Sequence, residues 1–178
     1  MNVRRMCFVA LMAALICAIA PVAVPVGPIP ITLATFAVYL TGTLLGAKDG
    51  TLAVALYLLL GAVGLPVFSG FGAGLGALFG PTGGYILGFA FTALSMWGVE
   101  ARFGQGLPAR VAGMALGLLL CYAFGTAWFM AVYARAGGPI GLGAALSMCV
   151  FPFILPDIAK MALAILVSAR LKPLLRRR

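Results

Sequence analysis

Apolar runs of helix length fill this chain, and short interruptions of Gly, Pro and charge divide them. The first run covers residues 6–20 and is ended by Pro21, whose ring and missing N–H stop a helix. Residues 21–31, PVAVPVGPIPI, carry four prolines and no charge, so this segment is predicted to be extended and stiff, in polyproline or β geometry. A second helix is predicted over about 32–47 and a third over about 51–64, with Lys48, Asp49 and Gly50 as the tight turn between them. A fourth covers about 84–99. Glu100, Arg102 and Arg110 then flank the turn FGQGLP, and a fifth helix runs over about 110–133. After Arg135, Gly137, Gly138 and Pro139 the last helix begins near Gly141. Pro152 and Pro156 interrupt it, and it resumes from Asp157 to about Leu171. Six spans result, without an evident internal repeat.

The stretch 65–88, LPVFSGFGAGLGALFGPTGGYILG, breaks this rhythm. Seven glycines fall between Gly70 and Gly84, and no residue is charged. Each interior glycine costs a helix roughly 1 kcal/mol against Ala, yet the stretch is too apolar for a solvated loop. Irregular backbone at membrane depth survives only where protein buries it or a cavity hydrates it. The stretch therefore reads as a segment lidding a binding cavity, or alternatively as small-residue contacts that let helices approach closely.

Composition turns the pattern into a class. Of the 178 residues, 64% are hydrophobic and 8% charged, where a soluble domain carries about 25% charged residues. The chain reads as an all-α integral membrane protein, one transmembrane domain over 1–178, with six helices and irregular outer loops over a pocket. Residues 1–24 resemble a signal peptide, with Arg4 and Arg5 before an apolar run and Ala18-Ile19-Ala20 imitating a cleavage site. Pro21 directly after that site blocks cleavage, so the segment is read as a retained helix.

The net charge of +9 would suit nucleic acid, but its placement argues otherwise. With a cytoplasmic N-terminus, the inner side holds Arg4, Arg5, Lys48, Arg102, Arg110, Arg170, Lys172, Arg176, Arg177 and Arg178, and the outer side holds Arg135 alone. This asymmetry predicts that both termini face the cytoplasm. The irregular stretches 21–31, 65–83 and 151–156 then converge on the outer face. His is absent, which removes the commonest general base and transition-metal ligand. Cys7, Cys17, Cys121 and Cys149 lie in apolar runs without CxxC spacing and read as free packing thiols.

Asp157 and Lys160, in PFILPDIAK, are the candidate chemistry. A spacing of i, i+3 puts both on one helix face. Fifteen residues, or about 22 Å of helix, separate Asp157 from Leu171, which places the pair towards the outer half of the membrane. Pro156 suits a first helical turn, and Asp157 after it would gain from the helix dipole. An ionisable residue inside a membrane marks a functional site by default; the bland alternative is a structural ion pair. Phe68, Thr82, Tyr85 and Phe89 could complete a pocket with apolar walls and hydroxyl tips. Ala10, Ala14 and Ala18 recur every four residues and so line one face of the first helix, open to an external partner or to internal packing. No P-loop, GxSxG or HExxH motif occurs, so ATP hydrolysis has no seat here.

GPIPITLAT (27–35), GLPVFSGFGAGLGALFGPTGGYILGF (64–89) and PFILPDIAK (152–160) resemble, in order and spacing, the signature segments of the BioY family. These are the biotin-specific substrate-binding (S) components of energy-coupling factor transporters. The resemblance implies six transmembrane helices and an outward-facing pocket closed by loops. It implies biotin as ligand, no covalent cofactor, and a prokaryotic plasma-membrane location. It also implies partners, a transmembrane coupling protein and cytoplasmic ATPases that alone use ATP. Carried onto this sequence, it makes Asp157, Lys160, Tyr85, Thr82, Phe68, Gly83 and Gly84 ligand-binding candidates, and Ala10, Ala14 and Ala18 the face docking to the coupling protein. Asp157 is expected to accept from the ureido N–H groups of biotin, while Lys160 donates to the ligand or holds Asp157 ionised. An S component for another vitamin and a solitary biotin facilitator remain the alternatives, ahead of an intramembrane enzyme or a purely structural subunit.

Overall fold

The computed structural model describes residues 2–25 and 28–176. Its elements are α1 (Val3–Ile19), β1 (Ala23–Val24), β2 (Ile31–Thr32), α2 (Ala34–Leu45), α3 (Ala47–Val63), a 3-10 turn (Ser69–Phe71), α4 (Gly74–Phe79), α5 (Gly83–Phe103), α6 (Leu107–Gly137), α7 (Leu142–Cys149) and α8 (Phe151–Arg176). The chain wraps around α2, which is buried on every face from Ala37 to Thr43 and packs against α1, α3, α5 and α8. Six helices, α1, α2, α3, α5, α6 and α8, make the bundle; α4 leans on α3 and α5, and α7 on α6 and α8. Leu11, Leu59, Val63, Leu119 and Leu166 point outward, each more than half exposed. An apolar surface of that kind belongs in lipid. Two helical stretches, Leu107–Arg135 and Leu142–Pro173, are long and apolar enough to cross a membrane on length and composition alone.

The tightest interface joins α5 and α6 and is built on absent side chains. Gly84, Gly88, Thr92 and Met96 recur every four residues on α5 and face Gly125, Cys121, Gly117 and Gly113 of the antiparallel α6. A Cβ on Gly88 would stand 2.5 Å from the Cys121 Sγ, and one on Gly117 would stand 2.7 Å from the Thr92 Cα. Close backbone approach of this kind drives helix association where water cannot. Thr92 adds an interhelical bond, its hydroxyl donating to the Gly117 carbonyl at 3.1 Å.

Three boundaries differ from the sequence reading. Lys48, Asp49 and Gly50 are not a turn; they form the first turn of α3, and Gly46 alone, at φ +87°, reverses the chain. The early start is stabilised from outside, because Glu100 of α5 accepts the Ala47 N–H at 3.0 Å. Asp49 also lies at the positive end of the α3 dipole. Pro152 and Pro156 do not interrupt the last helix. The break falls at Val150 (φ −124°, ψ −55°), and α8 runs straight through both prolines. Pro152 occupies the first turn, where no N–H is needed, and Pro156 removes one helical bond. Asp157 therefore stands in the second turn, beyond the reach of the end of the dipole. The glycine-rich stretch, finally, is not irregular throughout, since it contains the 3-10 turn and α4.

Within the proline-rich segment the described residues Ala23, Val24 and Ile31 are in extended strands, as expected. β1 and β2 form an antiparallel hairpin with Ala23 opposite Thr32 and Val24 opposite Ile31. The Gly70 N–H bonds the Pro21 carbonyl at 3.1 Å, so the glycine-rich stretch is pinned onto this hairpin's base. The opposite end of the bundle gathers the positive charge. There Arg5 pairs with Asp49 through Nε at 2.7 and 2.8 Å, tying α1 to α3, and Lys48 lies 6.0 Å from the Trp97 ring. Gly27, and Arg177 and Arg178 of the basic tail, lie outside the described residues.

The α5–α6 ladder predicts that Gly117→Ala lowers thermal stability in detergent by about 1–3 kcal/mol through overpacking against Thr92. Gly98→Ala, with nothing within 4 Å of its Cβ position, should be neutral or gain about 0.5–1 kcal/mol. Melting curves of the two variants decide this; equal effects would contradict a packing role for Gly117.

Candidate ligand-binding site

The site begins with the buried stripe of α8. Phe153, Asp157, Lys160, Ala164 and Ser168 recur at helical spacing and all face inward. Asp157 is 3% and Lys160 8% exposed, so neither charge is solvated by bulk water. The Lys160 ammonium donates to Asp157 Oδ1 at 2.8 Å. Thr35 of α2 donates to the same oxygen at 3.0 Å, and Tyr122 of α6 donates to Oδ2 at 2.6 Å. Three helices thus converge on one carboxylate. The 2.6 Å contact is in the range of a charge-assisted O–H···O⁻ bond. These three donors, rather than the end of the helix dipole, are what the carboxylate is hydrogen-bonded to.

Not every hydrogen-bonding position is spent. An ammonium has three N–H donors, and Lys160 uses one on Asp157, with no further hydrogen bond among the described residues. A carboxylate offers about four acceptor positions, and three are occupied. The pair thus keeps one acceptor position and two N–H donors unspent among the described residues.

Asp157 and Lys160 line a cavity of about 50 Å³ whose other walls include Phe89, Leu118, Tyr122 and Phe153. A second chamber, about 40 Å³, adjoins it and is lined by Tyr57, Ser69 and Thr82. Ile29, Pro30, Thr32, Tyr85 and Phe89 border both. The hairpin therefore roofs the two chambers, and α5 divides them. Tyr85 is held in place by its hydroxyl, 2.9 Å from that of Thr126 on α6.

Of the residues singled out from the sequence, Asp157, Lys160, Tyr85, Thr82 and Phe89 reach these walls. Phe68, Gly83 and Gly84 are taken up by packing instead. The Phe68 ring is fully buried against Gly61 and edge-on to Tyr57, 5.6 Å between centroids. A Cβ on Gly83 would strike the Leu78 carbonyl, and one on Gly84 would strike the Trp128 Cβ. Cys121 and Cys149, read as packing thiols, also border the first chamber. Thr35, Tyr122 and Ser69 were missed. Tyr122 carried a signal, a hydroxyl-bearing ring in the middle of the charge-free run 111–134. Ser69 carried none; its buried hydroxyl has no hydrogen-bond partner among the described residues. Ala10, Ala14 and Ala18 form an exposed face of α1, while Val9, Ala13 and Ile16 form its buried face.

Comparison with known families matches residues 1–177 to the BioY family. The chain belongs to the BioY family. It is similar to a protein of Pyrococcus horikoshii described as a probable biotin transporter BioY, 39% identical over 97% of this chain and 98% of that one. It is likewise 39% identical to a biotin transporter BioY of Thermotoga maritima, over 96% of this chain and 97% of that one. Among solved structures it is similar to the S-component for biotin from an ECF-type ABC transporter, with a TM-score of 0.81 and 26% identity, covering 96% of this chain and 92% of that one. The BioY family fold is thus a membrane-embedded helical one, and this chain shares it across its length.

The carboxylate constellation makes a prediction of its own. Lys160→Leu leaves a buried carboxylate without its counter-ion and should lower stability by about 3–5 kcal/mol. The double variant Asp157→Leu with Lys160→Leu, which removes both charges, should recover most of that loss. Thermal melting of the two in one detergent checks it; a double variant less stable than the single one would contradict the pairing.

Proposed function

We propose that this chain is the biotin-binding S component of an energy-coupling factor transporter. It captures biotin from outside and delivers it inward with a membrane coupling protein and ATPases that hydrolyse the ATP. The observation that carries this reading is the buried Asp157–Lys160 pair, held by Thr35 and Tyr122 on a cavity wall, in a chain belonging to the BioY family. Biotin suits that wall chemically. Its cyclic urea has two N–H donors for a carboxylate, and its urea and carboxylate oxygens accept from an ammonium. Its fused ring and aliphatic chain are apolar, as are Phe89, Leu118 and Phe153. Asp157 accepts a ureido N–H, and Lys160, while paired with Asp157, donates to the ligand. Tyr85 and Thr82 supply an apolar wall and a hydroxyl along the ligand's length.

Chambers of about 50 and 40 Å³ are far below the roughly 300 Å³ of a small-molecule pocket. Biotin therefore enters only when the roof, Ile29 and Pro30 of the hairpin segment, moves off Tyr85 and Phe89. The Gly70–Pro21 bond makes the glycine-rich stretch move with that roof.

The exposed Ala10, Ala14 and Ala18 face is the docking surface for the coupling protein, since small residues at this spacing allow close helix contact. The basic end of the bundle is the cytoplasmic one, which puts both termini inside and the hairpin outside a prokaryotic plasma membrane.

Equilibrium binding of biotin to the purified protein tests the ligand and the anchor together. Wild type should bind saturably, and Asp157→Asn should weaken binding by about 1.5–3 kcal/mol, roughly ten- to hundredfold. Folded wild type that binds no biotin would overturn the assignment, and unchanged affinity in Asp157→Asn would remove Asp157 from the ligand. For docking, Ala14→Leu should keep biotin affinity within about twofold, as an exposed substitution away from the cavity, while abolishing co-purification with the coupling protein. Co-purification at the wild-type level would move docking elsewhere.

A further inference from the structure

At the end of the bundle away from Asp157 lies a cleft of about 590 Å³, more than ten times the volume of either ligand chamber. It opens beside the end of α2, which is short. Twelve residues give about 18 Å of helix, against a hydrocarbon core of about 30 Å. Leu44, Leu45 and Gly46, where α2 ends, form its floor. Its sides are Arg110 at the start of α6 and Ala169, Lys172 and Pro173 near the end of α8. The two helices that meet through Tyr122 and Asp157 at one end thus stand on either side of a cleft at the other.

The chemistry of this cleft is cationic. Arg110 and Lys172 line it, and among the described residues no acidic one does. Arg110 makes no side-chain hydrogen bond or ion pair among the described residues. Glu100, the acid beside Gly46, is already engaged. One of its oxygens accepts the Ala47 N–H at 3.0 Å, and the other accepts from Gln105 at 2.7 Å. Both Glu100 oxygens are spent on these neutral donors, and Arg110 is left without an ion-pair partner among the described residues. Leu107, Val111 and Leu171, neighbours in sequence of the two cations, are exposed apolar side chains. A basic headgroup site flanked by apolar helix surface fits an amphiphile whose anionic end is a phosphate.

We propose that this cleft binds the headgroup phosphate of an anionic membrane phospholipid, with Arg110 and Lys172 as its cationic contacts and the acyl chains along α6 and α8. Its place in the inner leaflet rests on the orientation proposed above; the binding itself does not. The lipid fills the gap left by the short α2 and holds α6 and α8 at a fixed separation.

Native mass spectrometry of the full chain, released from detergent containing equal amounts of phosphatidylglycerol and phosphatidylcholine, tests this. Wild type should retain phosphatidylglycerol preferentially. Arg110→Gln should lower that retention about fivefold, the effect of one cation near a phosphate surface, and Arg110→Lys should largely keep it. Biotin is absent from this readout, so its outcome is independent of the ligand assignment. Biotin affinity of Arg110→Gln, expected unchanged, serves only to show that the variant is folded. Equal retention of the two lipids by wild type would overturn the proposal, as would full retention by Arg110→Gln. Inorganic phosphate displacing the lipid at equal concentration would show a free-anion site and overturn the lipid assignment.

Discussion

A carboxylate and an ammonium are kept inside a membrane protein, and the rest of the fold serves to make that tolerable. Desolvating two charges is unfavourable by several kcal/mol each, and their attraction compensates only with good geometry and further hydrogen bonds. Here the further bonds come from two other helices, Thr35 on α2 and Tyr122 on α6. The pair itself forms within α8, but its carboxylate gains its two further donors only when α2 and α6 are in place. The ladder of glycines between α5 and α6 fixes Tyr122 and the dividing residues Tyr85 and Phe89 relative to one another.

The same pair gives the site a reason to exist. Asp157 has an acceptor position left and Lys160 has N–H groups left, both at a cavity wall. Were the pair only a structural pin, its hydrogen bonds could have been closed by protein side chains, as happens at the other end of the bundle. There Asp49 is matched to Arg5, and Glu100 to a backbone N–H and an amide. The contrast between the matched carboxylates of Asp49 and Glu100 and the open Asp157–Lys160 pair supports a binding role for the open pair. The hairpin and the glycine-rich stretch are joined at Pro21 and Gly70, and Ile29 and Pro30 border both chambers of that site.

Much of this was legible in the sequence, and the reasons differ by element. Asp157 and Lys160 stood out because charge in an apolar helix is rare, and the hairpin stood out because proline excludes helix. The break between α7 and α8 was misplaced for the same reason. Two prolines drew attention, yet both are accommodated near a helix start while an unremarkable Val150 turns the chain. Gly46 was overlooked because Lys48-Asp49-Gly50 has the composition of a turn, and only the contact with Glu100 makes it helical. Gly84 was ambiguous in principle. A glycine beside a pocket and a glycine in a helix ladder read alike until its partner, Gly125, more than forty residues on, is brought opposite it. Thr35 and Ser69 act through tertiary placement, which no local pattern carries.

The central claim is that the Asp157–Lys160 pair anchors the ligand. A crystal structure of this protein with biotin bound tests it most directly. The account predicts a urea or carboxylate atom of biotin within hydrogen-bond distance, about 2.7–3.2 Å, of both Asp157 and Lys160, with Ile29 and Pro30 displaced from Tyr85. Biotin seated elsewhere, with the pair unchanged and beyond reach of its polar atoms, would contradict it and return Asp157 and Lys160 to a structural role.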